Sequence, residues 1–246
     1  MSTVKLKAAP IISMLGVTAL VVIAIVLIDA GFRSLPDLPL FAHGTSWMLA
    51  ILVHVPQFVI PFLVICCIKQ RGLGEYGFNL KENPPTFTHR RMLMLGVAFG
   101  LFMSLKYISQ VVAGEPLDIP QPVTLVSVMG NLAFQWIVVG LCEETMFRGL
   151  IQTHLMNNLE GYVKVLGHDL HVGTVIGAII WGAFHFVNLL VMPWGPAIFY
   201  VILTTVIGLA MGYAYQETRS LLTTMIVHNT IFGVPLTIGY LLHWLL

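Results

Sequence analysis

Three groups of polar side chains stand inside otherwise apolar stretches of this 246-residue sequence. The first is Glu143-Glu144-Thr145-Met146-Phe147-Arg148, directly after the apolar run Phe134–Cys142. Adjacent residues of a helix point about 100° apart, so the two carboxylates diverge. Glu144 and Arg148 are spaced i, i+4 on one face, which suits an ion pair. Glu143 is left without that local partner. A carboxylate so placed, near a second one in a partly dry site, suits the work of a general base. The second group is Trp181, His185 and Asn188, one stripe of a helix at i, i+4 and i+7. The third is His228-Asn229, nine residues past Arg219 and so roughly 14 Å along a helix rising 1.5 Å per residue.

Glu143, His185 and His228 can together activate a water and stabilise an oxyanion. They are also a His₂Glu donor set of the kind that binds Zn²⁺ with a water. Both routes lead to hydrolysis. The sequence contains no HExxH and no GxSxG, so neither the zincin arrangement nor a nucleophile elbow is indicated. Ser127 and Ser220 have no base beside them in sequence, and Cys142 next to Glu143 reads as a packing residue.

The elements that must position these groups are membrane helices. The chain is 57% hydrophobic and 9% charged, against about 25% charged residues in a soluble domain. Its net charge of +1 supplies no field for nucleic acid. A bilayer core takes about 20 apolar residues per helix. Seven segments qualify, about 10–30, 46–68, 91–112, 122–147, 172–192, 197–216 and 221–244. Ionisable groups in such segments cost about 2.5–3.5 kcal/mol each, and one polar cavity shared by three helices accounts for all three groups at once. The expectation is an all-α, polytopic membrane helix bundle forming one domain over 1–246, with a cytoplasm-facing polar cavity and the motif core in 122–244.

Basic residues orient the bundle. Lys5, Lys7, Lys69, Arg71, Lys81, Arg90, Arg91, Arg148, Lys164 and Arg219 fall on one side of the seven spans, and only Arg33 on the other. Lys106 falls inside the third span and reads as a snorkelling side chain. The positive-inside bias puts the N-terminus in the cytoplasm and the C-terminus outside. Lys5 and Lys7 precede an apolar run too long for a signal-peptide core, so the first span is expected to remain uncleaved. Three GxxxG spacings, at Gly96/Gly100, Gly173/Gly177 and Gly208/Gly212, suggest tight helix packing. Cys66, Cys67 and Cys142 form no disulfide or zinc pattern and are expected to be small buried residues.

In order, Glu143-Glu144-x-x-x-Arg148, Trp181-x-x-x-His185 and His228 resemble the CPBP family of intramembrane proteases, the CaaX-protease and bacteriocin-processing (Abi) enzymes. The resemblance covers about residues 122–244. It implies that Glu143 activates water, that Glu144 is tied to Arg148, that His185 works with Glu143 on the water, and that His228 contributes to the oxyanion site. No cofactor is then required, because carboxylate and imidazole suffice; Zn at Glu143, His185 and His228 is the alternative. Two positions depart from the family pattern. Trp181 stands where Phe is usual, and Phe232 stands where Asn is frequent. Phe cannot donate to an oxyanion, so Asn188, or else Asn229, is the candidate substitute.

The expected partners are a peptide or protein substrate and the lipid bilayer, in a multi-pass protein of a prokaryotic plasma membrane. The sequence names neither the substrate nor the oligomeric state. Two other classes remain open at this point. One is a proton- or cation-coupled transporter, since buried Glu and His also relay protons. The other is a non-catalytic scaffold on the same fold.

Overall fold

The computed structural model describes residues 4–34, 46–68, 72–79, 84–190 and 192–246. Lys69, Arg71, Lys81 and Asn83, and most of the connection between the first two spans, lie outside the described residues. Among those described, seven helices are long and apolar enough to cross a membrane, so this is an integral, multi-pass helical protein. Large apolar side chains such as Leu27, Leu63, Val126, Phe199 and Val206 face outward from the bundle. That is the inverse of a soluble surface and suits a surface solvated by lipid.

Helix α1 spans Ala8–Arg33 and α2 spans Ser46–Cys67. Pro56 and Pro61 lie within α2, where each removes one backbone donor from the ladder. The third span is broken at Ser104 into α3 (His89–Met103) and α4 (Leu105–Ala113). The fourth runs through α5 (Leu125–Ala133), a π-helical turn, α6 (Val139–Glu144), a π-helical stretch Thr145–Gln152 and α7 (Thr153–Asn158). A two-stranded antiparallel hairpin follows, β1 (Tyr162–Val165) and β2 (His168–His171). Its Leu166-Gly167 turn has positive φ at both residues, as a two-residue hairpin loop requires. Then come α8 (Val172–Phe184), a 3₁₀ segment His185–Leu190, α9 (Trp194–Thr218) and α10 (Leu221–Leu245).

The core is a continuous apolar cluster beneath the π-helical stretch. Met146, Phe147, Leu150, Ile151 and Leu155 from the fourth span meet Trp181, Met211 and Ile231 from α8, α9 and α10. Close approach of backbones brings the helices to that distance. A Cβ on Gly96 or Gly100 would stand 2.8 Å from Thr230 or Val234 of α10, and one on Gly208 2.7 Å from the Trp181 ring. Gln152 ties three spans together, donating to Gly212 O (2.7 Å) and Thr174 Oγ1 (3.0 Å).

Three sequence expectations change. The fourth span does not end at residue 147 but continues to Asn158, 34 residues in all. Glu144 and Arg148 neutralise each other inside it, so charge there does not mark a helix end. Arg148 is buried and therefore does not belong among the loop cations that orient the chain. Cys66 and Cys67 lie on the outer surface of α2, and only Cys142 is buried. Lys106 stands at the start of α4, 3.5 Å from Asp118 of the following connection and over the Tyr107 ring.

The end of the bundle that carries the N-terminus is also clasped. Lys5 bonds to Glu160 through both backbone and side chain, at 2.9 Å each. The ammonium holds the Glu160 carboxyl below its ordinary range, first by the hydrogen bond and then by charge. His171 caps α8, its Nδ1 accepting from the Gly173 N–H at 3.0 Å. Burial, and then the charge of Arg219, lowers the His171 pKa, which keeps that nitrogen free to accept.

Candidate active site

Two adjacent carboxylates of α6 go to opposite sides of the fourth span. Glu144 faces α10. Its Oε1 accepts from His228 Nδ1 at 2.8 Å, and its Oε2 is 3.2 Å from Arg148 Nε. The guanidinium of Arg148 stands over the Trp181 ring, 4.1 Å from its centroid, a cation–π contact in a dry setting. Glu144, Arg148 and His228 are all at most 2% exposed. Beneath them the Thr153 hydroxyl donates to Arg148 O at 3.0 Å and meets Tyr215 Oη at 2.7 Å.

Glu143 faces α8 and α2. Its Oε2 accepts from Trp181 Nε1 at 2.8 Å, and its Oε1 stands 3.5 Å from His54 Nε2. It also interacts electrostatically with His185 and His228. Trp181 therefore joins the two carboxylates. Its N–H fixes one oxygen of Glu143, its face carries the arginine that neutralises Glu144, and its ring meets those of His185 and His228 at 5.5 and 5.8 Å.

Hydrogen-bond partners settle the imidazole tautomers, since a carbonyl or carboxylate oxygen accepts only from an N–H. His54 Nδ1 donates to Ala50 O at 2.6 Å and His185 Nδ1 donates to Trp181 O at 2.8 Å. In the neutral ring each keeps Nε2 as an acceptor. His228 Nδ1 donates to the Glu144 carboxylate.

Glu143, His54 and His185 line a cavity of about 360 Å³ with Gln57, Asn188 and Asp29. The remaining wall is apolar, from Ile25, Leu49, Val53, Phe134, Phe184 and Val187 among others. Asp29, Leu49 and Asn188 mark its outer part, at the end of the bundle away from the N-terminus.

The structure brings together Glu143, His185 and Asn188 at this cavity, sets Trp181 behind the wall as the donor to Glu143, and places Glu144, Arg148 and His228 in a closed layer behind it. His228 is not among the cavity-lining residues; its ring packs 5.4 Å from that of Phe232. Asn229 lies elsewhere. Its Oδ1 accepts from the Gly140 N–H at 2.9 Å, and its side chain borders a separate groove with Trp136 and Met225. It serves the backbone beside the first π-helical turn, as the 100° offset from His228 requires. Trp181, read from sequence as a packing aromatic, is also the hydrogen-bond donor to Glu143. His54 and Gln57 were not read as site residues at all. The signal was present, since His54 is an ionisable group in an apolar span, but it stands alone in α2, distant in sequence from the three clusters.

Among the described residues, no group of three or more His, Cys, Asp and Glu side chains converges as a metal-binding set.

Residues 125–232 match the family model for the type II CAAX prenyl endopeptidase Rce1-like domain. The matched segment contains Glu143, Glu144, Arg148, Trp181, His185 and His228, and it is the protease family that the motifs resemble. Among curated proteins none matches the chain, and among solved structures none does.

Proposed function

With residues 125–232 matching the Rce1-like CAAX endopeptidase family, we propose that this chain is an intramembrane endopeptidase in which Glu143 activates the attacking water. The observation that carries this reading is the setting of Glu143. It is a buried carboxylate with one oxygen held by an indole N–H, the other directed towards an imidazole, and its side chain on a cavity wall. Oε2 is committed to Trp181, so Oε1 takes the proton of the water. His185 Nε2, an acceptor in the neutral ring, orients the second water hydrogen; His54 holds the proton-bearing oxygen from the other side. The new C–O bond forms at the scissile carbonyl. The C–N bond then breaks as Glu143 returns the proton to the leaving amine.

Asn188 lines the cavity and carries an amide donor for the oxyanion, the role that Phe232 cannot fill. Glu144, Arg148 and His228 act as positioning residues. They hold α6, α8 and α10 in register. The substrate is a polypeptide segment short enough for a cavity of about 360 Å³, at the low end of ligand-sized pockets.

Cleavage of peptides by the detergent-purified protein tests the reading. The panel contains a prenylated CaaX peptide and unprenylated sequences, with wild type beside Glu143→Gln and each with and without chelator. Cleavage that Glu143→Gln abolishes and chelator leaves intact is expected. Full activity in Glu143→Gln overturns the mechanism. Loss in chelator with recovery on adding Zn²⁺ replaces it with a metal-assisted one.

A further inference from the structure

Gln57 follows His54 by one turn of α2 and lines the Glu143 cavity with it. It is 2% exposed, and its side-chain Oε1 is buried and accepts from no donor among the described residues. Gln152 shows how a buried amide is otherwise accommodated in this protein: exposed to the same 2%, it donates to Gly212 O and Thr174 Oγ1. Pro61, four residues on from Gln57, has no N–H to give the Gln57 main-chain carbonyl, so the α-helical ladder supplies that acceptor no partner either.

A buried amide oxygen without a partner is unfavourable in the resting protein. The neighbouring wall has no proton to offer it. Glu143 and Asp29 are carboxylates, and the Nδ1 protons of His54 and His185 are committed to Ala50 O and Trp181 O. Asn188, which carries amide protons, belongs to the outer part of the cavity. The missing donor has to come from what binds there. An extended peptide brings main-chain N–H groups at a fixed spacing. Three residues of helix rise about 4.5 Å, which is one to two residues of extended chain at about 3.3 Å each. A chain whose scissile carbonyl lies against Glu143 and His54 thus carries an N–H at the level of Gln57. The terminal torsion of a Gln side chain is broad, and a turn about it presents Oε1 to the cavity.

We propose that Gln57 is a substrate-binding residue, accepting a hydrogen bond from a main-chain N–H one or two residues from the scissile bond and so fixing which bond lies at Glu143. The contact reads the backbone, so it sets register rather than side-chain preference. The proposal rests on the protease reading above.

Gln57→Met keeps the length of the side chain and removes the amide. Expected is a melting temperature equal to or above wild type, because an unpaired buried acceptor is gone, with kcat/KM about tenfold lower on a peptide that the wild type cleaves. A lower melting temperature makes Gln57 a structural part of the resting fold and overturns the proposal. Analogues of that peptide, each with one N–H near the scissile bond replaced by an ester oxygen, locate the contact. One analogue is expected to be cleaved about tenfold more slowly than the parent peptide by wild type, and at the parent rate by Gln57→Met. Equal losses in the two proteins at every position overturn the proposal. Glu143-dependent cleavage at the wild-type rate in Gln57→Met overturns it and leaves the protease reading intact. Cleavage of no peptide by the folded wild type overturns the protease reading and this proposal with it.

Discussion

Glu144 sits in a buried layer, with an imidazole on one oxygen and a guanidinium beside the other, whereas Glu143, one residue earlier, has an indole on one oxygen and a cavity beside the other. The layer resembles the interior of a stable protein: ion pair, cation–π contact and hydroxyl chain, all buried. The cavity wall carries donors and acceptors spaced for something to come between them. A 100° step along one helix separates a carboxylate used for holding the bundle together from one free for chemistry. The same helix can do both because Trp181 spans the two, sealing the layer with its face and serving the cavity with its edge.

The largest test of that division is Glu143→Gln. General-base removal lowers hydrolysis by about 10²–10⁴-fold, with a melting temperature close to wild type, because the amide oxygen still accepts from Trp181. A variant that unfolds instead breaks the comparison. Arg148→Ala belongs to the other side. Stranding one partner of a buried ion pair costs about 3–5 kcal/mol, read as a large fall in thermal or denaturant midpoint in detergent. An unchanged midpoint shows that Glu144 does not depend on the arginine.

Trp181→Phe separates the two roles of one side chain. It keeps an aromatic face for Arg148 and deletes the N–H on Glu143. A hydrogen bond to a charged group contributes about 1.5–3 kcal/mol, so kcat/KM falls about 10- to 100-fold while the melting temperature moves little. An equal loss of stability merges the two regions into one. His54→Ala lowers kcat about tenfold, less than the roughly 10²–10⁴-fold supplied by a group that itself transfers the proton. A change confined to KM makes His54 part of the substrate wall only.

The smallest effect lies at the far end. His171 has a lowered pKa and caps α8 as the neutral ring. Its contribution is full above the ordinary imidazole pKa of about 6.5 and is lost as pH falls through that value towards the lowered one. The melting temperature therefore drops on acidification. His171→Asn, which caps without titrating, flattens that part of the drop; an identical pH dependence assigns it to other groups.

Much of this was legible in the sequence. Hydropathy placed all seven spans, because lipid imposes the same requirement on each. The polar clusters led to Glu143, His185 and Asn188, which share the cavity, since burying such groups separately is costly. The length of the fourth span was not legible, because a Glu–Arg pair that neutralises itself looks like a helix end when charges are only counted. His54 was missed because a single histidine has no spacing pattern, and only folding brings it to Glu143. Asn229 is the converse, next to His228 in sequence and turned to another groove by the helix.

The bond between Lys5 and Glu160 joins residues 155 positions apart. A ribosome releases Lys5 long before Glu160 exists, so the first helix enters the bilayer with its clasp unmade. It is held until then by its contacts with α2, the next helix to be synthesised. The N-terminus is fastened only after the motif-bearing span has been inserted, and the order of synthesis makes this closure a late event in the birth of the protein.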